Sequence, residues 1–385
     1  MASPVLHARK TLGVFGAFCL SASAVWGATA FVPVGGEYPV AGLLRGDQVF
    51  PNLSIGEAGG YIVWQDNATD GDGSGVSARR LNADGLGAMG VFRVNADGSG
   101  DQQNARVKLL KNGGVVFTWQ GGLLGEQDIY ARFVAKNGTF VAGDVRVNAY
   151  VNNQQMNPAL GVLANGNVVF AWSSFGQDGS MQGIFAQVMT PAGEKIGGEF
   201  PVTQYTAFNQ RTPAVVALND GSYVVAWVSE QKRFENSIDI YARIFGADGE
   251  PARGEFLVNA STNICANPVI DVIAGGGFMV GWSERDTGTL DNAWDVFVRS
   301  FSAVGQPAAE PTKVNTHVNG NHYAPQIAAV GDQHLVVWMS AGQDGSREGV
   351  FGRFVNSDGS AVGSEFQVNT TSASQQIYPT VSSDG

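Results

Sequence analysis

Pro213-Ala214-Val215-Val216-Ala217-Leu218-Asn219-Asp220-Gly221-Ser222-Tyr223-Val224-Val225-Ala226-Trp227 reads as two short apolar strands joined at Asn219-Asp220-Gly221, a turn in which glycine supplies the positive backbone angle. Asp239-Ile240-Tyr241-Ala242-Arg243-Ile244-Phe245 then forms a third strand, and Glu255-Phe256-Leu257-Val258-Asn259 a fourth. Outward from this stretch the same order recurs. Trp64, Trp119, Trp172, Trp227, Trp282 and Trp338 stand 53 to 56 residues apart, each closing a β-rich run and each preceded by Pro51, Ala105, Pro158, Pro213, Pro268 or Pro325. The third strand repeats at 128–133, 184–188, 296–301 and 350–355, and the fourth at Glu199-Phe200-Pro201-Val202 and Glu365-Phe366-Gln367-Val368-Asn369. Four-stranded units of this length without helical periodicity imply an all-β fold, a β-propeller of six full units plus a split, incomplete seventh. One such unit cannot bury both faces alone, so neighbours stack around an axis. A β-solenoid is the alternative, but its coils do not carry four turn-separated strands.

The units run over 41–95, 96–148, 149–203, 204–259, 260–315 and 316–369. Gly36-Glu37-Tyr38-Pro39-Val40 matches a fourth strand lacking its first three, and Gln375-Gln376-Ile377-Tyr378-Pro379-Thr380-Val381 matches the start of another unit. Together they make a partial blade (36–40 and 370–385) short of two strands, as expected of a truncated product or of one segment of a larger secreted protein. Composition agrees with turn-rich β structure. Of 385 residues 52 are glycine, and 15% are charged against 44% hydrophobic, which excludes a disordered chain. Only 14 prolines and no three-residue glycine period exclude collagen.

Residues 1–30 stand apart. His7, Arg9 and Lys10 precede an uncharged stretch that ends in Ala28-Thr29-Ala30, the pattern of a secretory signal peptide, with a retained anchor as the alternative. A secreted, periplasmic or cell-surface location follows as the expectation, with no membrane insertion after cleavage. The formal net charge of −11 repels nucleic acid. Cys265 alone survives cleavage, so no intramolecular disulfide is expected.

The units resemble the Asp/Gly-rich propeller repeats of large secreted bacterial proteins, often found beside haemolysin-type calcium-binding repeats, and more distantly integrin-type repeats. The resemblance is carried by Gly176-Gln177-Asp178-Gly179-Ser180, Gly342-Gln343-Asp344-Gly345-Ser346, the Ile-Tyr-Ala-Arg strand and the Glu-Phe-x-Val-Asn strand. It implies the propeller architecture and no defined activity. Neither the Phe-Gly and Gly-Ala-Pro steps of integrin-type repeats nor the haemolysin-type nonapeptide occurs, so calcium binding is not inherited by motif.

Asp66, Asp70 and Asp72 within Asp66-Asn67-Ala68-Thr69-Asp70-Gly71-Asp72-Gly73 can supply oxygen ligands for Ca2+; the alternative is a solvated hairpin turn. Asp178 and Asp344 occupy corresponding loops with fewer carboxylates. Asp128, Asp239 and Asp295, with Arg132, Arg243, Arg299 and Arg353, recur in most units and point to a structural bond between strands or blades. The six recurring tryptophans point to inter-blade packing for the same reason. Two loops break the pattern: 284–295, where Trp294, Asp286 and Asp291 suggest a protein or carbohydrate ligand at a propeller face, and Glu230-Gln231-Lys232-Arg233-Phe234-Glu235-Asn236, the densest charge cluster. His317 and His322 share a loop without a third nitrogen or sulfur ligand nearby, which reads as a polar loop rather than a zinc site. No nucleophile elbow, phosphate loop or His-Glu-x-x-His is present. The expectation is a binding or scaffold propeller without catalytic activity, calcium stabilising a loop. Its alternative is a propeller-type polysaccharide hydrolase using loop carboxylates.

Overall fold

The computed structural model describes residues 36–42, 44–286, 288 and 293–384, and the backbone of four strands within residues 5–34. Six four-stranded antiparallel sheets follow one another along the chain as the blades of a β-propeller. Blade three is representative, with Gln155–Val162, Val168–Phe175, Gln182–Met189 and Lys195–Pro201 in spatial order. The innermost strands of blades one to six are Gln48–Gly56, Asp101–Leu109, Gln155–Val162, Gln210–Ala217, Ile264–Val272 and His322–Val330. A seventh inner strand, Thr380–Ser383, packs between those of blades six and one, and Ser382 Oγ accepts the Ile55 N–H at 3.3 Å. Thr380–Ser383 also heads a sheet with Val5–Ala8, Thr11–Val14, Cys19–Val25 and Ala28–Val34, for which the backbone pairing alone is described. The expected leader falls within that part of the chain.

Turn chemistry makes each blade. In blade four Gly221 takes φ +91°, Asp220 Oδ1 accepts the Ser222 N–H, and the Leu218 N–H closes the hairpin on the Ser222 carbonyl at 2.8 Å. The second strand of each blade is buried almost throughout, because both its faces meet neighbouring blades. Each recurring tryptophan packs on the blade before its own: Trp119 on Val63, Val76 and Ala78, Trp172 on Ile129 and Ala131, Trp338 on Val296 and Val298. Removing such a ring would cost about 3–5 kcal/mol, so the tryptophans are the main apolar mortar of the ring.

Polar repeats do the rest. The Nη1 atoms of Arg79, Arg132, Arg243, Arg299 and Arg353 donate at 2.5–2.9 Å to the carbonyls of Val40, Val94, Val202, Val258 and Val314, each in the preceding blade position. Asp128, Asp239 and Asp295 accept from the amides of Asn148, Asn259 and Asn315, whose own Oδ1 atoms accept the N–H of Ile129, Ile240 and Val296. Glu199 and Glu365 receive two backbone N–H groups from the end of the previous blade and a third donor from Gln177 or Gln343. The Gly-Gln-Asp-Gly-Ser and Glu-Phe motifs are therefore two halves of one hydrogen-bonded joint.

The split seventh unit keeps these contacts. Val40 is buried beneath Arg79, and Glu37 accepts from the backbone of Thr370 and Thr371 just as Glu199 does from Ala149 and Tyr150. Residues 36–40 hold a fourth-strand position without forming a regular strand.

Candidate functional site: the central channel and its mouth

Seven inner strands converge on an axial cavity of about 370 Å3. Six of them carry a bulge at the same place, where Phe50, Asn104, Asn157, Thr212, Asn267 and Ala324 adopt φ between 52° and 55°, and Tyr378, just before the seventh, adopts φ 56°. The next residue is Pro51, Ala105, Pro158, Pro213, Pro268, Pro325 or Pro379. Here the ladder register slips, and proline costs no ladder bond where a strand's free edge looks into the channel. The bulge aims one backbone N–H at the neighbouring blade. Asn157 N–H reaches Gln120 Oε1 (2.9 Å), Thr212 N–H reaches Ser173 Oγ (3.1 Å) and Ala324 N–H reaches Ser283 Oγ (3.0 Å), each acceptor being the residue after the blade tryptophan. Left-handed backbone at Thr212 and Ala324 is strained by about 1–3 kcal/mol each, offset by this bonding.

Among the described residues that line the channel there is no carboxylate. The wall's titratable side chains are Arg106, Lys108 and Tyr378, beside Asn52, Asn104, Thr212, Asn267 and Gln326. Arg106 is half-buried, and the strands packed round it push its pKa below the ordinary guanidinium value by desolvation. Phe50 and Tyr378 close the other side with ring centroids 4.1 Å apart, joining the two ends of the ring.

The antiparallel order places the loops between second and third strands at the end of the channel where the inner strands begin. Exposed Phe175, Phe208 and Phe234 lie on this mouth in blades three and four. Phe175 is tied by its N–H to the Gln154 carbonyl, and Phe208 by its N–H to Ser180 Oγ. At the foot of the mouth a glutamine two residues before each bulge donates to a loop carbonyl: Gln48 to Arg45, Gln102 to Ser99, Gln155 to Asn152, Gln210 to Ala207 and Gln376 to Ala373. Blades five and six replace it with Cys265 and His322. Cys265 is buried, its thiol pushed up by desolvation, with Glu284 adding to the shift. His322 is fully buried without a hydrogen bond on either ring nitrogen, 3.7 Å from Asp295 and in ring contact with His317. Burial pushes its pKa below the ordinary value of 6.5 against the opposing pull of Asp295.

The residues singled out by sequence lie on these loops between second and third strands, away from the channel wall, and serve separate turns. Asp66 Oδ1 caps the Ala68 N–H, Asp70 accepts from Asn95, and Asp72 Oδ2 accepts the Gly100 N–H. Among the described residues no cluster of three or more His, Cys, Asp or Glu side chains could hold a metal ion. Asp178 and Asp344 cap Ser180 and Ser346. In the blade-five loop, Asp286 caps Gly288 and Trp294 lies 6.0 Å from the Arg285 guanidinium, while Asp291 is outside the described residues. The blade-four charge cluster is a closed network: Arg211 pairs with Glu230 at 2.8 Å, Arg233 with Asp239 at 2.6 Å, and Lys232 with Glu255. Arg106 and Lys108 were not singled out by sequence. Superposing the units on Pro51, Ala105 and their equivalents reveals them, because Arg106 alone is charged in a column otherwise of Asn52, Ala159, Ala214, Val269, Gln326 and Thr380.

No family model and no curated protein matches the chain. Solved structures of like fold include an α-L-arabinanase of Penicillium chrysogenum complexed with arabinobiose (16% identity, TM-score 0.54, 80% of this chain and 93% of that one). An α-L-arabinofuranosidase of Fusarium graminearum gives 14% identity, TM-score 0.52 and the same coverages. An ulvan lyase bound to a GlcA-Rha3S saccharide gives 10% identity, TM-score 0.53, 84% and 87%. At these identities the likeness establishes the propeller fold, and the resemblance to Asp/Gly-rich repeats is upheld only to that level. It nevertheless corrects the expectation of a scaffold propeller that is not an enzyme. Similar structures are mostly glycosidases and a polysaccharide lyase, which fits the hydrolase alternative better. Among the described residues no helix is long and apolar enough to cross a membrane.

Proposed function

We propose that this protein is a carbohydrate-active enzyme that cleaves a polysaccharide held at the central channel. The channel itself carries the reading. The amides of Asn52, Asn104, Asn267 and Gln326 and the hydroxyls of Thr212, Tyr378 and Thr380 surround a cavity of about 370 Å3, within the size range of small-ligand sites. Exposed Phe175, Phe208 and Phe234 at the mouth offer faces on which sugar rings stack. Support also comes from the arabinanase, arabinofuranosidase and ulvan lyase that share the fold. The leader-like residues 1–30 and the likeness of the repeats to secreted Asp/Gly-rich propellers favour action outside the cytoplasm.

Hydrolysis asks for two opposed carboxyl groups. No described carboxylate lines the channel, so a hydrolase would draw them from the mouth, where Glu230 ends a strand, Glu348 begins one and Glu284 stands one residue before a strand's end. The channel wall favours a second reading, elimination. There a base takes the proton α to a sugar carboxylate, the electron pair forms a carbon–carbon double bond, and the bond to the leaving sugar oxygen breaks as that oxygen gains a proton. Such a step needs a cation to hold the carboxylate and a base, and the wall offers Arg106, Lys108 and Tyr378.

Incubation with arabinan, polygalacturonate and ulvan tests the proposal. New reducing ends without ultraviolet absorbance indicate hydrolysis; reducing ends with the absorbance of an unsaturated uronate indicate elimination. Binding without new reducing ends on any of the three overturns it.

A further inference from the structure

We propose that the central channel is an anion site in which Arg106, assisted by Lys108, recognises the carboxylate or sulfate of an acidic sugar unit, a substrate class that rests on the polysaccharide reading above. The chain is acidic, at −11, yet the charges it brings to the channel wall are both positive. Arg106 donates one hydrogen bond, from Nη1 to the adjacent Ala105 carbonyl at 3.2 Å, and no described carboxylate pairs with it or with Lys108. The carboxylates of the inner strands are engaged by backbone N–H groups. Asp101 accepts the Ser74 N–H, while Asp271 accepts the Val272 and Ala329 N–H groups.

This is costly for a structural residue and useful for a binding one. A desolvated guanidinium without a counter-ion is destabilising unless a ligand supplies the charge, and its planar fork matches carboxylate and sulfate oxygens two at a time. Its strand is also held rigid. Asn52 Oδ1 accepts the Val107 N–H at 2.9 Å and Ser54 Oγ accepts the Leu109 N–H at 3.0 Å, clamping the backbone just beyond Arg106 to blade one. Such clamping leaves little backbone to order on binding. The acidic exterior confines the attraction to the channel, so binding should weaken with salt.

Affinity electrophoresis and titration calorimetry with polygalacturonate, dextran sulfate and uncharged dextran test the site. Expected is binding of polygalacturonate or dextran sulfate, with the better of the two identifying carboxylate or sulfate, and no binding of dextran. Arg106→Gln should weaken binding about tenfold or more, and Lys108→Gln severalfold, whereas Lys136→Gln, an exposed control with the same charge change, leaves it intact. Should Arg106→Gln fail to fold, Arg106→Lys and the salt dependence of the wild type decide. Salt-independent binding, or equal affinity for dextran, overturns the anion site. Dextran or arabinan bound and cleaved with Arg106→Gln unaffected sinks this inference and spares the polysaccharide reading. A rise in melting temperature with sulfate, lost in Arg106→Gln, without binding of any polysaccharide, does the reverse.

Discussion

The mouth of blade four and the channel wall of blade two both concentrate positive charge, and the fold treats them in opposite ways. Arg211, Lys232 and Arg233 each meet a carboxylate, and Arg233 reaches further to the Ser261 carbonyl. Arg106 and Lys108 meet none. Density of charge in the chain marked the first region, which is an internally paired network. Function is better sought in the second, where two cations line a cavity and no described carboxylate meets them.

That contrast can be broken by mutation, most sharply at Arg233. Arg233→Ala should destabilise by about 3–5 kcal/mol in urea denaturation, since it leaves the buried Asp239 carboxylate uncompensated, and adding Asp239→Asn should recover part of the loss. A loss near zero would place the blade-four network on a par with solvent-exposed pairs. Arg353→Ala, which removes the donor to the Val314 carbonyl of the preceding blade, should cost about 2 kcal/mol. Arg106→Met should do the opposite, leaving stability unchanged or raising it by up to about 1 kcal/mol, because it removes a desolvated cation without a partner. A loss comparable to that of Arg353→Ala would make Arg106 a structural residue.

The smallest effect concerns His322, another group left unpaired. Its folded pKa lies below 6.5, so the unfolded chain binds the proton more readily. The stability His322 contributes is complete above about pH 6.5 and falls as pH drops through the folded value. Desolvation is the largest influence, His317 and Lys313 act with it, and Asp295 and Glu365 oppose it. His322→Gln restores the side chain found in five other blade positions, so its melting curve should diverge upward from the wild type below pH 6.5, by under about 1 kcal/mol. Parallel curves from pH 5 to 8 would exclude His322 as the source of acid sensitivity.

Period and composition carried the architecture. The tryptophan spacing, the Asn219-Asp220-Gly221 type of turn and the recurring Arg and Asp positions are local patterns repeated in register, and each has the inter-blade or inter-strand partner that recurrence implied. Glu37 and Tyr378, more than three hundred residues apart, were legible as parts of one blade for the same reason. The site was not legible in the same way. Trp294, Asp286 and Asp291 drew notice as a departure in loop length, whereas Arg106 is one substitution inside an otherwise regular strand.

The sequence by itself determined that four strands make a blade, that blades stack through tryptophan and arginine, and that a seventh position is shared by the two ends. Those are nearest-neighbour properties, encoded once per repeat. Tertiary structure alone decided that seven inner strands face one axis, that the carboxylates of Asp101 and Asp271 are taken up by backbone N–H groups, and that no described carboxylate pairs with Arg106 or Lys108 there. Pairing of charges depends on distances across the ring between residues far apart in the chain, and no repeat pattern records which of them end without a partner.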